Sequence, residues 1–229
     1  MEKNLIFDIG FYNGDSSKHF LQQGCNVVGV DCNPFAIRLS KKLYKEYIEK
    51  QQLTIVDKCI ASQSGEKKSF YVAQGERVWS STHKDIATRV RECCEITVET
   101  ISINDLIKTY GTPIYCKIDV EGDDIIVLES LKNVEVKPLF ISCETECIGN
   151  ENHLNVDGLD VINKLKEIGY TKFFLHKNAH DETFEFNCDV NQYQWFDYKS
   201  ICQQLIEERE KHDFSNGSWT FWWDVYATF

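Results

Sequence analysis

The sequence predicts an α/β protein built on one doubly wound, mostly parallel sheet. Three observations carry that expectation. Short apolar runs alternate with amphipathic helical stretches over residues 4–56 and again over 114–175, the rhythm of strand–helix–strand units. Two of those runs end in acidic, glycine-marked turns, Asp8-Ile9-Gly10 and Lys117-Ile118-Asp119-Val120-Glu121-Gly122. In an open α/β sheet the carboxyl ends of the strands are where ligands bind, so the two endings predict one crevice seen from neighbouring strands. Third, 229 residues can bury a sizeable core. No linker divides them, which predicts a single domain over 1–229 with an insertion at about 61–100.

Asn4 to Ile9 reads as a buried strand, short and apolar. Gly10 to Gly14 is a turn, and Asp15-Ser16-Ser17 offers N-cap chemistry for a helix to about Gln23, stopped by Gly24. Asn26 to Asp31 is a second strand, and Pro34 opens an amphipathic helix to about Lys50. Leu53 to Val56 is a third strand. The rhythm then changes. A polar turn over Ala61–Lys68 leads to a hairpin arm at Ser69–Val72, then to a loop containing Val78-Trp79-Ser80-Ser81-Thr82. Ile96–Thr100 is a strand and Ile103–Thr109 a short helix. Alternation returns with a strand at Ile114–Val120, a helix at Asp123–Leu131 and a buried strand at Pro138–Cys143. A one-faced helix follows at Asp157–Ile168, stopped by Gly169, and then a strand at Tyr170–Leu175. The aromatic segment Trp219–Phe229 closes the sheet as a hairpin-type edge strand.

The formal net charge of -11 argues against an indiscriminate grip on nucleic acid or on an anionic membrane. The ten cysteines form no C-x-x-C pair, so reduced structural thiols are favoured over zinc or disulfides. No leader-like segment precedes the first strand and no apolar run is long enough to span a bilayer. A reducing cytoplasm is the expected location.

Asp8-x-Gly10-x-x-x-Gly14 follows the first strand. Glycines there let a ligand approach the backbone, and the next helix start favours an anionic group. A dinucleotide site prefers G-x-G-x-x-G, which this turn lacks. An acid before the first glycine instead suits a ligand carrying an ammonium and a carboxylate together. The plain alternative is a tight connection. Asp31 ends the second strand, where a carboxylate commonly receives the hydroxyls of an adenosine ribose. Its plain alternative, capping the helix at Pro34, falls more naturally to Asn33.

Taken in order, Asp8–Gly14, Val30-Asp31-Cys32-Asn33-Pro34, the Ala61-Ser62…Gly65 turn, Trp79-Ser80-Ser81, Lys117–Gly122 and Ile141-Ser142-Cys143-Glu144 resemble the FkbM-type S-adenosylmethionine-dependent methyltransferases. The resemblance runs from about Asn4 to Leu175, with a weaker echo in Trp222–Ala227. It implies a Rossmann-like class I methyltransferase fold: a seven-stranded, mostly parallel sheet with an antiparallel last strand and a β-hairpin/loop insertion. It implies S-adenosyl-L-methionine as cofactor, with Asp8, Gly10 and Gly14, and Phe11 and Tyr12 of the same turn, around its methionine part. Asp31 would hold the ribose, Cys32 and Asn33 would lie beside the adenosine, Ile60 and Ala61 near the adenine, and Asp119 at the sulfonium end. Residues 187–218 depart from the family pattern.

Methyl transfer is an in-line displacement in which positioning carries much of the catalysis. An alcohol acceptor also gains from a base. Asp119, Glu121 and Glu144 are the candidate catalytic carboxylates. Against that, Glu121 has the option of capping the next helix and Glu144 of binding a backbone amide. Such a cluster can ligate a divalent cation, but no ligand set is complete enough to assign a metal. Trp79-Ser80-Ser81 suits a flap over a sugar, or a loop anchored by a buried ring. His153, His176 and His180 are candidates for the acceptor mouth, with solvated surface the simpler reading. The expected activity is O-methylation of a small hydroxylated acceptor, a sugar or glycan. The rivals are a nicotinamide-dependent oxidoreductase and a cofactor-binding module without catalysis.

Overall fold

The computed structural model describes residues 2–75, 77–89, 91–145, 157–179, 184–211 and 221–229. The main sheet contains β1 (Glu2–Ile9), β2 (Asn26–Asp31), β3 (Leu53–Asp57), β7 (Pro113–Ile118), β8 (Phe140–Thr145), β9 (Lys172–Ala179) and β10 (Phe221–Thr228). Its order is β3-β2-β1-β7-β8-β10-β9. The pairs from β3 through to β8 are parallel, whereas β10 runs antiparallel to both β8 and β9. A second sheet, ordered β4-β6-β5, comprises β4 (Cys59–Ile60), β5 (Lys67–Ala73) and β6 (Cys93–Ile101). There β5 and β6 are antiparallel, with Phe70 opposite Ile96. This is the expected hairpin insertion.

The helices are α1 (Asp15–Gln22), α2 (Pro34–Leu43), α3 (Lys45–Glu49), α4 (Lys84–Ala87), α5 (Ile103–Tyr110), α6 (Asp124–Leu131), α7 (Gly158–Ile168) and α8 (Tyr198–Glu210). Among the described residues, no helix is long and apolar enough to cross a membrane.

Three expectations are corrected. The last strand is not an edge: β10 lies between β8 and β9. Both of its faces are buried, with Val225 and Ala227 on one and Tyr226 on the other, so it has no solvated side to offer an edge. The true edge, β9, is closed at Phe173 by reciprocal backbone bonds with Phe196 of 2.9 and 2.8 Å, which blunts an edge otherwise open to pairing. The helix from Pro34 breaks at Tyr44, whose ring is buried against Phe11 in an edge-on contact at 6.2 Å. Finally, α1 is entered from Gly14 in the left-handed region, φ 76, without a side-chain cap. The Ser17 hydroxyl is drawn instead to Asp8, 2.7 Å away.

Strand alternation sorts the core into two layers. Leu5, Phe7, Ile9, Cys116, Ile118, Ile141, Cys143 and Val225 face one side, where α5, α6, α7 and α8 pack. Ile6, Tyr115, Phe140 and Tyr226 face the other, with Phe20 and Leu21 of α1. Of residues 187–218, whose role the sequence left open, 187–211 wrap the β9 edge together with 184–186, and 212–218 lie outside the described residues. Phe186, Tyr193 and Trp195 join the second layer, while Ile201 and Leu205 of α8 reach the first.

Candidate functional site

The same alternation builds the site. On the Ile6–Tyr115–Tyr226 face, the period of two carries Asp8, Lys117, Glu144 and Asp224 to neighbouring strand ends. Asp8 is in register with Lys117 and Glu144 with Asp224. Lys117 and Asp224 had no role assigned from sequence. Their signal was present: a charged residue at alternate positions of an otherwise apolar strand belongs to a face that does not meet plain core.

Two cavities open at this rim. The first is lined by Gly10, Phe11, Tyr12, Asp31, Cys32, Asn33, Ile60, Asp119 and Glu121 of the expected residues, together with Val30, Phe70, Val78 and Ser80. The second is lined by Asp8, Glu144 and Asp224 and by aromatic rings, Phe184, Phe186, Trp222 and Tyr226 among them. Ser16, Lys117 and Asp119 belong to both.

Gly14 and Ala61 lie outside both linings. A Cβ on Gly14 would meet the Phe11 ring at 2.5 Å, so this glycine serves packing. Ala61 donates its N–H to Ile101 O at 2.9 Å, anchoring β4 against β6. Gly10 is the joint between the two acidic strand ends. At φ 88, its absent Cβ would sit 1.6 Å from the Asp119 carbonyl oxygen, so only glycine admits this approach.

In the first cavity each Asp31 oxygen already accepts a backbone N–H at 2.7 Å, one from Tyr12 and one from Asn33. Burial still pushes its pKa up, to about 6, against those amides. The cap of α2 is Asn33, whose Oδ1 accepts from Phe35 N–H at 3.0 Å. A fixed carboxylate beside Val30, Ile60 and Phe70 fits a nucleoside: hydroxyls for the acid, apolar walls for the base. The insertion forms part of this cavity rather than the second, through Val78, Ser80 and Thr82. Trp79 stands aside, with the Arg89 guanidinium 6.0 Å from its ring centre.

At the junction, Lys117 Nζ lies 2.7 Å from Asp119 Oδ2 and 3.9 Å from Asp8 Oδ1. Burial would lower the Lys117 pKa, but Asp119 and Asp8 outweigh it and hold the ammonium well above its usual range. Burial alone would raise Asp119. Lys117 and a hydrogen bond with Glu144 overcome that and keep its carboxyl below the ordinary value. Burial and the neighbouring Asp119 drive Glu144 well above its own. The pair therefore titrates as a unit, ionised on Asp119 and protonated on Glu144. Asp8 is 1% exposed, and burial raises its pKa despite Lys117 and Ser17. Its Oδ1 has no hydrogen-bond partner.

Glu121, at φ 55, does not cap α6. Its carboxylate faces Arg89 at 3.9 Å. The loop is held instead by Asp124, which accepts from Val120 and Gly122 N–H at 3.0 Å each. Sequence reasoning missed this acid, for which the run of acids at 119–124 gave only a diffuse signal. Oxygens of Asp119, Glu121 and Glu144 come within 4.8 Å of one another, a spacing that could serve a cation; Lys117 and Arg89 already supply positive charge there. His176 stacks on Phe184 at 3.7 Å. His153 and His180 lie outside the described residues. Nine described cysteines are free thiols.

A seven-stranded sheet with one antiparallel strand next to its edge, and a cleft at its carboxyl ends bearing a buried acid at the end of β2, defines a class I methyltransferase fold. The chain belongs to the FkbM methyltransferase domain family, whose model matches residues 8–172, a family of S-adenosylmethionine-dependent methyltransferases. No curated protein matches it in sequence. Similar solved structures include the methyltransferase FkbM from Methylobacillus flagellatus KT, 17% identical, TM-score 0.49, covering 78% of this chain and 40% of that one. This chain therefore spans less than half of that relative's length. Precorrin-6y C5,15-methyltransferase from Geobacter metallireducens GS-15 is 9% identical, TM-score 0.49, with 100% and 82% covered. Magnesium protoporphyrin IX methyltransferase from Synechocystis PCC 6803, solved with bound SAM, is 9% identical, TM-score 0.49, with 99% and 71% covered.

Proposed function

We propose that this chain transfers a methyl group from S-adenosylmethionine to a hydroxyl of a small acceptor, a sugar or glycan, with a cytoplasmic location suggested by its free thiols. The observation that carries the reading is the shared wall of the two cavities, Ser16, Lys117 and Asp119. A donor in one and an acceptor in the other would meet there. S-adenosylmethionine supplies an electrophilic methyl on a sulfonium. Asp31 would hold its ribose, Ile60 and Val30 would flank its base, and the anionic Asp119 would face its positive end.

Asp119 accepts a hydrogen bond from the acceptor hydroxyl and so aims the oxygen. Its depressed pKa makes it a weak base, which suffices because the hydroxyl becomes strongly acidic only as the new C–O bond forms. Lys117 fixes the carboxylate and Glu144, protonated, supports it from the other side.

The test is a methyl-transfer screen over sugars and glycans, with product mass and linkage determined. Asp119→Asn should lower turnover by about 10²–10⁴-fold with the fold intact, and full activity in that variant would reject the base role. Stabilisation by NAD(H) rather than by S-adenosylhomocysteine in a thermal-shift comparison would favour the oxidoreductase reading.

A further inference from the structure

We propose that the second cavity selects a hydroxylated acceptor bearing an ammonium group, seated between its aromatic wall and the facing carboxylates of Glu144 and Asp224. This deepens the reading of that cavity as the acceptor site and rests on it.

Glu144 and Asp224 are direct cross-strand partners; ionised together they would repel, and Glu144 keeps its proton while the cavity is empty. They belong to a set of six carboxylates on this lining, against one lysine. That lysine is engaged by Asp119 at 2.7 Å. A second, separate observation is Asp8 Oδ1, which is buried on the same lining and accepts no hydrogen bond, the Lys117 ammonium standing off at 3.9 Å. Burial, then the Asp119 charge, holds Glu144 well above its usual pKa, and burial pushes Asp224 up to about 6 against the Lys117 ammonium and a hydrogen bond with Asn178, so the cavity carries more acid than it can comfortably ionise.

An ammonium entering here favours the ionised form of both acids and meets an aromatic wall beside them. A phosphate or carboxylate on the acceptor meets the opposite field. His19, on the same lining, holds its Nε2 2.9 Å from the Phe186 carbonyl oxygen. A hydrated divalent cation is a poorer occupant: it asks for six or more oxygens, and here rings take up much of the wall.

The cofactor also carries an ammonium, so the test uses full-length protein saturated with S-adenosylhomocysteine. Glucosamine, glucose and glucuronate are titrated by calorimetry. Glucosamine should bind about tenfold tighter than glucose, as for a charge-assisted contact, and glucuronate weakest. Asp224→Asn should shrink the preference to within about threefold while S-adenosylhomocysteine affinity holds. Equal binding of glucosamine and glucose would overturn the proposal. So would an amine preference intact in both Asp224→Asn and Glu144→Gln, or one abolished by cofactor saturation. Methyl transfer to glucose with no amine preference would sink this inference and leave the transfer reading standing. Amine-selective binding with no methyl product would do the reverse.

Discussion

Asp123 and Asp224 carry the same carboxyl at the same rim of the sheet, and their surroundings answer it in opposite ways. Asp123 lines the first cavity, the proposed cofactor side. Lys68 Nζ lies 2.5 Å away, Thr82 Oγ1 donates at 2.7 Å and His83 Nε2 sits at 2.9 Å. Burial would raise its pKa, but these partners from the insertion outweigh it and hold the acid below its ordinary value. Asp224 lines the second cavity, the proposed acceptor side, opposite Glu144; there burial leads, and it outweighs Lys117 and a hydrogen bond with Asn178. The insertion thus answers Asp123 before any ligand arrives, whereas Asp224, like Asp31 of the first cavity, is held up at about 6 by burial.

The largest effect expected from this contrast is at Asp123. Asp123→Asn leaves Lys68 and His83 facing a neutral amide and should cost about 2–3 kcal/mol at pH 7, toward the low end for a broken buried pair because Lys68 is partly exposed. A depressed native pKa contributes stability above the unfolded value of 3.8 that is lost as pH falls through the native one. The gap between variant and wild type should therefore close in acid. Denaturant midpoints at several pH values measure it, and an unchanged midpoint at pH 7 would show that the insertion's ion pairs do not brace the loop after β7.

Next in size is Asp31→Ala. If its oxygens receive ribose hydroxyls as charged acceptors, affinity for S-adenosylhomocysteine should fall by about 1–3 kcal/mol. Unchanged affinity on calorimetry would remove Asp31 from the cofactor site. Both of its oxygens already accept backbone amides, so the variant also frees the Tyr12 and Asn33 N–H groups, and a parallel melting curve separates the two consequences.

The contrast was unevenly legible in the sequence. The cofactor side announces itself locally: glycines where the chain must turn, an acid at a strand end, Asn33 where a helix must be capped. Each is a short-range demand of the backbone, so adjacent residues betray it. The acceptor side is made of residues brought together only by sheet register. Glu144 meets Asp224 because β10, eighty residues later, enters between β8 and β9 in reverse. Nothing local to Trp222–Ala227 dictates that insertion, and from sequence the segment reads as an edge. Lys117 shows an intermediate case. Its block was noticed, but its task of splitting its charge between Asp119 and Asp8 depends on the β1–β7 register. The flap and anchored-loop readings of Trp79-Ser80-Ser81 are left open by the sequence for the same reason. A stretch of loop does not say which side of the rim it will cover. Here Ser80 accepts from Asn33 Nδ2 at 3.1 Å, and that tie places it on the first cavity.

The smallest expected effect is also the one of opposite sign. Asp224→Asn, isosteric with the acid, should stabilise the cofactor-free protein at pH 7 by about 1–2 kcal/mol, part of what a shift of roughly two pKa units implies. An acid whose native pKa is raised is best tolerated below its unfolded value of 3.8. Its stability is lost as pH rises toward the native value of about 6. The variant should thus match wild type near pH 4, gain between pH 4 and 6, and hold a constant lead above that. Thermal melts across this range, in the absence of cofactor, read the curve directly. A variant less stable than wild type at every pH would mean that the bonds from Tyr226, at 3.4 Å, and from Asn178 outweigh the cost of burial. Asp224 would then be as well answered by its neighbours as Asp123, and the contrast between the two acids would disappear.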